Sequence, residues 1–144
     1  LEGADAVVNL AGESIGEGRW TKARKSRIYS SRIDGTKLLC DSIKKLTLGS
    51  RNTVKTFISA SAIGIYGDRQ DTVLTEDSPS GSDFLAKLCK DWEAQANSLT
   101  EIGIRVITPR IGIVLSPNGG ALDKLLPLFT GGIGSAVGSG RQWM

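Results

Sequence analysis

VKTFISASAIGIYGD, Val54 to Asp68, is the stretch whose reading decides the fold. A basic approach gives way to small and β-branched apolar residues, and the run closes on Tyr66, Gly67 and Asp68. Apolar runs of this kind suit a strand buried on both faces of a parallel sheet. Its two serines, Ser59 and Ser61, fall in the later half. Ligands of open α/β sheets bind outside the carboxyl ends of the strands, so hydroxyls there are candidates for a site. The plainer alternative is that both satisfy local backbone groups.

Around that run lie 144 residues, 40% hydrophobic and 23% charged, enough for one globular domain with a core. No apolar run approaches the roughly 20 residues of a membrane span, and no secretory leader precedes the first strand signal. The expectation is a cytoplasmic protein with no membrane partner. Two cysteines, Cys40 and Cys89, sit in helical patterns without metal-ligand spacing, and there is no histidine. That argues against a zinc site and a Ser-His-Asp triad, so no metal is expected. The net charge of +3 is modest and its bases are spread along helices, which disfavours nucleic acid. The chain begins at Leu1 and stops at Gln142-Trp143-Met144, and it reads as a piece of a longer polypeptide.

Taken in order, Glu2-Gly3-Ala4 reads as the end of a preceding helix, and DAVVNLAG, Asp5 to Gly12, as a second buried strand turning on small residues. Glu13 to Thr21 is a loop holding Trp20, and Thr21 is placed to cap a helix. From Lys22 to about Leu46, Ile28, Ile33, Leu38, Leu39, Ile43 and Leu46 recur at helical spacing, with Gly35 inside. TLGSRN, Thr47 to Asn52, breaks that helix. The polar loop Asp68 to Ser82 carries the acidic pair Glu76-Asp77. Ser82 or Asp83 then caps a helix from Phe84 to about Leu99, whose apolar face is Phe84, Leu88, Trp92, Ala96 and Leu99. A third strand starts at Ile104 and ends near Thr108, because Pro109 cannot donate to a central ladder. A short helix follows over Ala121 to Phe129, then a glycine-rich tail. Strands alternating with helices imply βαβ units on a parallel sheet.

With NLAGE (Asn9 to Glu13), Arg19-Trp20, SRIDGT (Ser31 to Thr36), SASAIGIYGD (Ser59 to Asp68), FLAKLCKDWE (Phe84 to Glu93) and PRIGIVL (Pro109 to Leu115) in this order, the chain resembles the extended short-chain dehydrogenase/reductases. More narrowly it is similar to their atypical branch, the NAD-dependent epimerase/dehydratase-like proteins. The resemblance covers nearly the whole chain. It implies an α/β fold of Rossmann type, a parallel sheet with flanking helices, of which residues 1–144 are the middle and later portion. It also implies NADP or NAD as cofactor, NADP ahead, and a small-molecule substrate such as a nucleotide sugar. The family's Gly-rich phosphate loop is absent from this sequence; in relatives it precedes the point where this chain starts.

Typical members use a Ser or Thr near the end of the central strand and a Tyr-x-x-x-Lys on the next helix. Counted back from Tyr66-Gly67 the hydroxyl slot falls on Ala62, and a one-residue bulge brings Ser61 there; Ser61 is the catalytic candidate. Counted from Glu93 the Tyr and Lys slots fall on Leu85 and Cys89, or after a one-residue shift on Phe84 and Leu88. Neither register supplies the pair, and Lys87 and Lys90 read as a solvated helix face. Tyr66 reads as structural or substrate-side. The resemblance assigns the cofactor to Asn9, Leu10, Ala11 and Gly12, to Ser59, Ala60 and Ser61, and to Arg110, Ile111 and Gly112. The plainer alternatives are an Asn bonding its own turn, a Gly needed by a tight turn, and a strand-exit Arg pairing with a surface acid. Glu76 and Asp77 are substrate-facing or simply solvated, and Trp20 and Trp92 are expected as core anchors. Two further functions stay open: a dinucleotide sensor or scaffold without turnover, and a plain α/β interaction domain.

Overall fold

A computed structural model describes residues 1, 3–49, 51, 53–136 and 138–140. Glu2 in the expected helix end, Ser50 and Asn52 of the TLGSRN break, and Gln142, Trp143 and Met144 lie outside the described residues. The chain forms two units, Leu1–Arg110 and Ile111–Met144.

The first unit is built on three parallel strands, β1 (Ala6–Asn9), β2 (Thr56–Ser59) and β4 (Arg105–Ile107), in the order β1-β2-β4. Val7, Phe57 and Val106 lie side by side across the ladder. Against that row pack Cys40 and Ile43 of α1 (Lys22–Leu48) and Ala96 of α2 (Phe84–Asn97), with Leu99 just beyond it. Both helices therefore cover the same face. On the opposite face α1 and α2 leave Val8 57% exposed and Ile58 and Ile107 beside it half-buried within these 144 residues.

Both helix starts follow the caps read from sequence. Thr21 Oγ1 accepts from the Arg24 N–H at 3.2 Å, and Asp83 Oδ1 accepts from the Ala86 N–H at 2.8 Å. The inward stripe of α1 differs from the expected one. It is Ile28, Thr36, Cys40 and Ile43, while Leu38 is 68% exposed. Packing does not require Gly35, since a Cβ there would meet nothing within 4 Å.

Val54 to Asp68 is not one strand. β2 stops at Ser59; the Ala60 N–H still reaches the Asn9 carbonyl, but the Ser61 N–H turns away to the Pro109 carbonyl. A two-residue strand β3 (Ser61–Ala62) follows, then a 3₁₀ turn over Ile63–Tyr66 closed by Gly67 at φ +66°. Tyr66 thus ends a turn, not a strand. β4 stops at Ile107, before Pro109, as the missing donor requires.

In the second unit a tight turn brings Ser116 opposite Gly119 and leads into α3 (Gly120–Thr130). None of the described α3 residues is buried. Among the described residues no helix is long and apolar enough to cross a membrane.

Candidate functional site

Chemistry-bearing side chains of the first unit gather at the carboxyl ends of β1 and β2. Asn9, the last residue of β1 and 4% exposed, uses both ends of its amide: Oδ1 accepts from the Ala11 N–H at 3.2 Å, and Nδ2 donates to Thr36 Oγ1 at 2.9 Å. The turn-bonding alternative for Asn9 is therefore realised, with a tie to α1 added. The same Thr36 oxygen accepts from the Trp92 indole at 2.8 Å. Trp92 is a core anchor as expected. Trp20 is not: it is 40% exposed, meeting the Phe84 ring edge-on at 5.8 Å and donating to the Ile15 carbonyl. Beyond Asn9 the chain leaves Leu10, Ala11 and Gly12 exposed.

Ser59, Ala60 and Ser61 are all buried, and the Ser59 hydroxyl has no hydrogen-bond partner among the described residues. Ser61 is different. Its hydroxyl donates to Glu93 Oε1 at 2.6 Å, and Arg110 grips the same carboxylate with Nε at 2.9 Å and Nη2 at 3.0 Å. Nη1 of Arg110 also donates to the Tyr66 hydroxyl at 2.8 Å and to the Glu76 carbonyl at 2.7 Å. Burial pushes the Glu93 carboxyl up, but the hydrogen bonds from Arg110 and Ser61 and the Arg110 charge outweigh it, so Glu93 titrates below the usual range. Its hydrogen bonds to Glu93 and Tyr66 hold the Arg110 guanidinium charged. Arg110 does pair with an acid, but not with the surface acid of the plainer alternative: Glu93 is largely buried, the side chains being 23% and 11% exposed. An open concavity of about 370 Å³ lies beside this network, lined by Ile63, Tyr66, Thr75, Glu76, Thr108 and Arg110 among others.

Of the two registers for the α2 slots, Cys89 is the residue that comes beside Ser61 and the Ala62 backbone. Burial pushes its thiol up, against smaller downward pulls from Ala62, Arg32 and Ser61. Lys87 is a solvated residue paired with Asp91 at 2.8 Å. Ile111 and Gly112 are exposed in the second unit. Among the acidic loop pair, Glu76 lines the concavity. Sequence reasoning used Glu93 only to count registers and gave Arg32 and Thr36 no role. Glu93 had a signal: it is four residues past buried Cys89 and so on the inward side of α2. Arg32 and Thr36 had no comparable mark.

The profile of the NAD dependent epimerase/dehydratase family matches residues 1–143. The epimerase family protein Mb2239 of Mycobacterium bovis is 43% identical over 144 residues, which are 100% of this chain and 46% of that protein. The human epimerase family protein SDR39U1, solved with NADPH, superposes with a TM-score of 0.89 at 34% identity, over 99% of this chain and 48% of that one. The nucleoside-diphosphate sugar epimerase from Corynebacterium glutamicum gives a TM-score of 0.79 at 40% identity, over 99% of this chain and 28% of that one. The chain thus spans less than half the length of the curated relatives it matches. The fold is of Rossmann type, a parallel sheet with flanking helices.

Proposed function

Because the chain belongs to the NAD dependent epimerase/dehydratase family, we propose that residues 1–144 form part of an NAD(P)-binding domain of a cytoplasmic, nucleotide-sugar-epimerase-like oxidoreductase. NADP is the preferred cofactor in this reading. The carrying observation is the carboxyl edge itself: exposed Leu10–Gly12 beside a buried serine hydroxyl, at Ser59, left without a partner. An orphaned buried hydroxyl costs free energy until something bonds it. Exposed backbone at Leu10–Gly12 suits a flat ligand lying across the strand ends. These features fit a nicotinamide dinucleotide, held by Asn9, Leu10, Ala11 and Gly12, by Ser59, Ala60 and Ser61, and by Arg110, Ile111 and Gly112.

When bound, the dinucleotide supplies hydride transfer. The chain's part is to place a substrate hydroxyl. Ser61 spends its proton on Glu93, so its lone pairs remain to accept from that hydroxyl. Arg110 keeps Glu93 ionised and Ser61 aimed. In this reading neither register, Leu85 and Cys89 or Phe84 and Leu88, supplies the Tyr and Lys of typical members, so proton transfer falls to a substrate group, to water or to an acid elsewhere in the protein. That same substitution favours a second reading, a dinucleotide sensor or scaffold without turnover.

Titrating the full-length protein with NADPH and NADH, followed by nicotinamide fluorescence, tests the first step. Binding with NADPH ahead is expected. Binding neither nucleotide overturns the proposal. Turnover with a panel of nucleotide sugars separates the enzyme from the sensor, since binding without turnover selects the second.

A further inference from the structure

The open concavity of about 370 Å³ in the first unit has a mixed lining. Ile63, Leu74 and Pro109 give it apolar surface, and Tyr66, Glu76, Thr108 and Arg110 give it polar surface. A recess of that size and lining suits a small ring that carries oxygens. Its side chains also discriminate on charge.

Arg110 is the only base among the described lining residues, and an arginine in a pocket ordinarily invites a carboxylate. Here that invitation is already answered from within the chain. Nε and Nη2 hold the two oxygens of Glu93 at 2.9 and 3.0 Å, the two-pronged grip that a ligand carboxylate would need. Nη1 donates to the Tyr66 hydroxyl at 2.8 Å and to the Glu76 carbonyl at 2.7 Å. Four of the five N–H groups are therefore engaged. Glu76 brings a further carboxylate, which forms no ion pair among the described residues. One cation thus faces two carboxylates.

Tyr66 is 8% exposed, and its hydroxyl accepts from Arg110 but donates to none of the described residues. Its proton is left for an oxygen in the concavity. A neutral hydroxyl or ring ether can take that bond without further cost. A carboxylate would have to shed water beside two like charges, with no free cation to balance it.

We infer that the concavity seats an uncharged sugar and rejects the corresponding uronate, with Tyr66 as donor to the sugar and Glu93 setting the preference by occupying Arg110. The inference rests on the nucleotide-sugar reading above and adds to it the charge of the sugar.

Calorimetry on the full-length protein tests it with two sets of probes: UDP, UDP-glucose and UDP-glucuronate, and GDP, GDP-mannose and GDP-mannuronate. Within each set the nucleotide is constant and only the sugar end changes. In at least one set the neutral sugar is expected to bind more tightly than the bare nucleotide, and about tenfold more tightly than its uronate. Tyr66→Phe should weaken the neutral sugar by about fivefold and leave the bare nucleotide unchanged. Glu93→Gln frees Arg110 and should raise the affinity for the uronate until the gap closes. Circular dichroism and thermal melts establish that each variant is folded; should Glu93→Gln fail to fold, Tyr66→Phe carries the comparison. A uronate that binds the wild-type protein as tightly as its neutral partner overturns the inference, as does a neutral sugar that never improves on its bare nucleotide. Wild-type sugar affinity in folded Tyr66→Phe overturns the role of Tyr66, and a gap that survives in folded Glu93→Gln overturns that of Glu93. NADPH titrated into the same preparation separates the failures: if it binds and the sugars do not, the dinucleotide reading stands and this inference falls alone.

Discussion

Glu93 receives three hydrogen bonds, one from Ser61 and two from Arg110, on a side chain that is 11% exposed. Removing its charge while keeping its shape leaves a guanidinium bonded to a neutral amide. Glu93→Gln is expected to destabilise the full-length protein by about 2–3 kcal/mol, below the value for a wholly buried pair because Arg110 keeps some solvent contact. Urea denaturation at neutral pH measures it, and a loss under about 0.5 kcal/mol would mean the network is only a surface pair. The pH dependence has a definite sign. The folded Glu93 carboxyl titrates below its unfolded value, so its contribution is complete above the unfolded value of about 4.3 and is lost as pH falls through the lower folded one. Between about pH 5 and about pH 3 the wild-type melting temperature should fall more steeply than that of Glu93→Gln.

One oxygen joins three elements: Thr36 Oγ1 of α1 accepts from Asn9 at the end of β1 and from Trp92 of α2. Thr36→Val preserves the shape and strands two buried donors, so a loss of about 2–4 kcal/mol is expected, while Thr36→Ser should cost under about 1 kcal/mol. Calorimetry of both variants decides between this and a purely steric role, which would reverse the order. The helices themselves were legible because their starts are chemical: Thr21 and Asp83 are caps whose side chains meet the first free N–H groups. Their buried faces were less so. α1 turns Thr36 and Cys40 inward and leaves Leu38 outside, because the inward positions are fixed by the partners waiting there and not by hydrophobicity alone. The run from Val54 misled for a related reason: its bend after Ser59 depends on the carbonyl of Pro109, about fifty residues away, which no local pattern announces. Ser61 and Arg110 were visible as polar residues at strand ends; their meeting through Glu93 was not.

At the largest scale, α1 and α2 dress one side of the three-stranded sheet in the first unit. Val8 at 57% exposure, with half-buried Ile58 and Ile107 beside it, forms an apolar row with neither α1 nor α2 over it. The 144-residue chain made alone should bind a hydrophobic dye strongly, and Val8→Thr should reduce that signal by about a third, as one of three residues in the row. Equal dye binding by the variant would show that the row is covered. The strand order has its own consequence for assembly. Ala6 pairs with Thr56 and Thr56 with Arg105, so each rung of the ladder joins residues about fifty positions apart. Such a ladder gains nothing until a long loop has closed, whereas the 27 residues of α1 make their bonds locally. On a ribosome, β1 would wait through the synthesis of an entire helix before β2, with which it pairs, has left the tunnel.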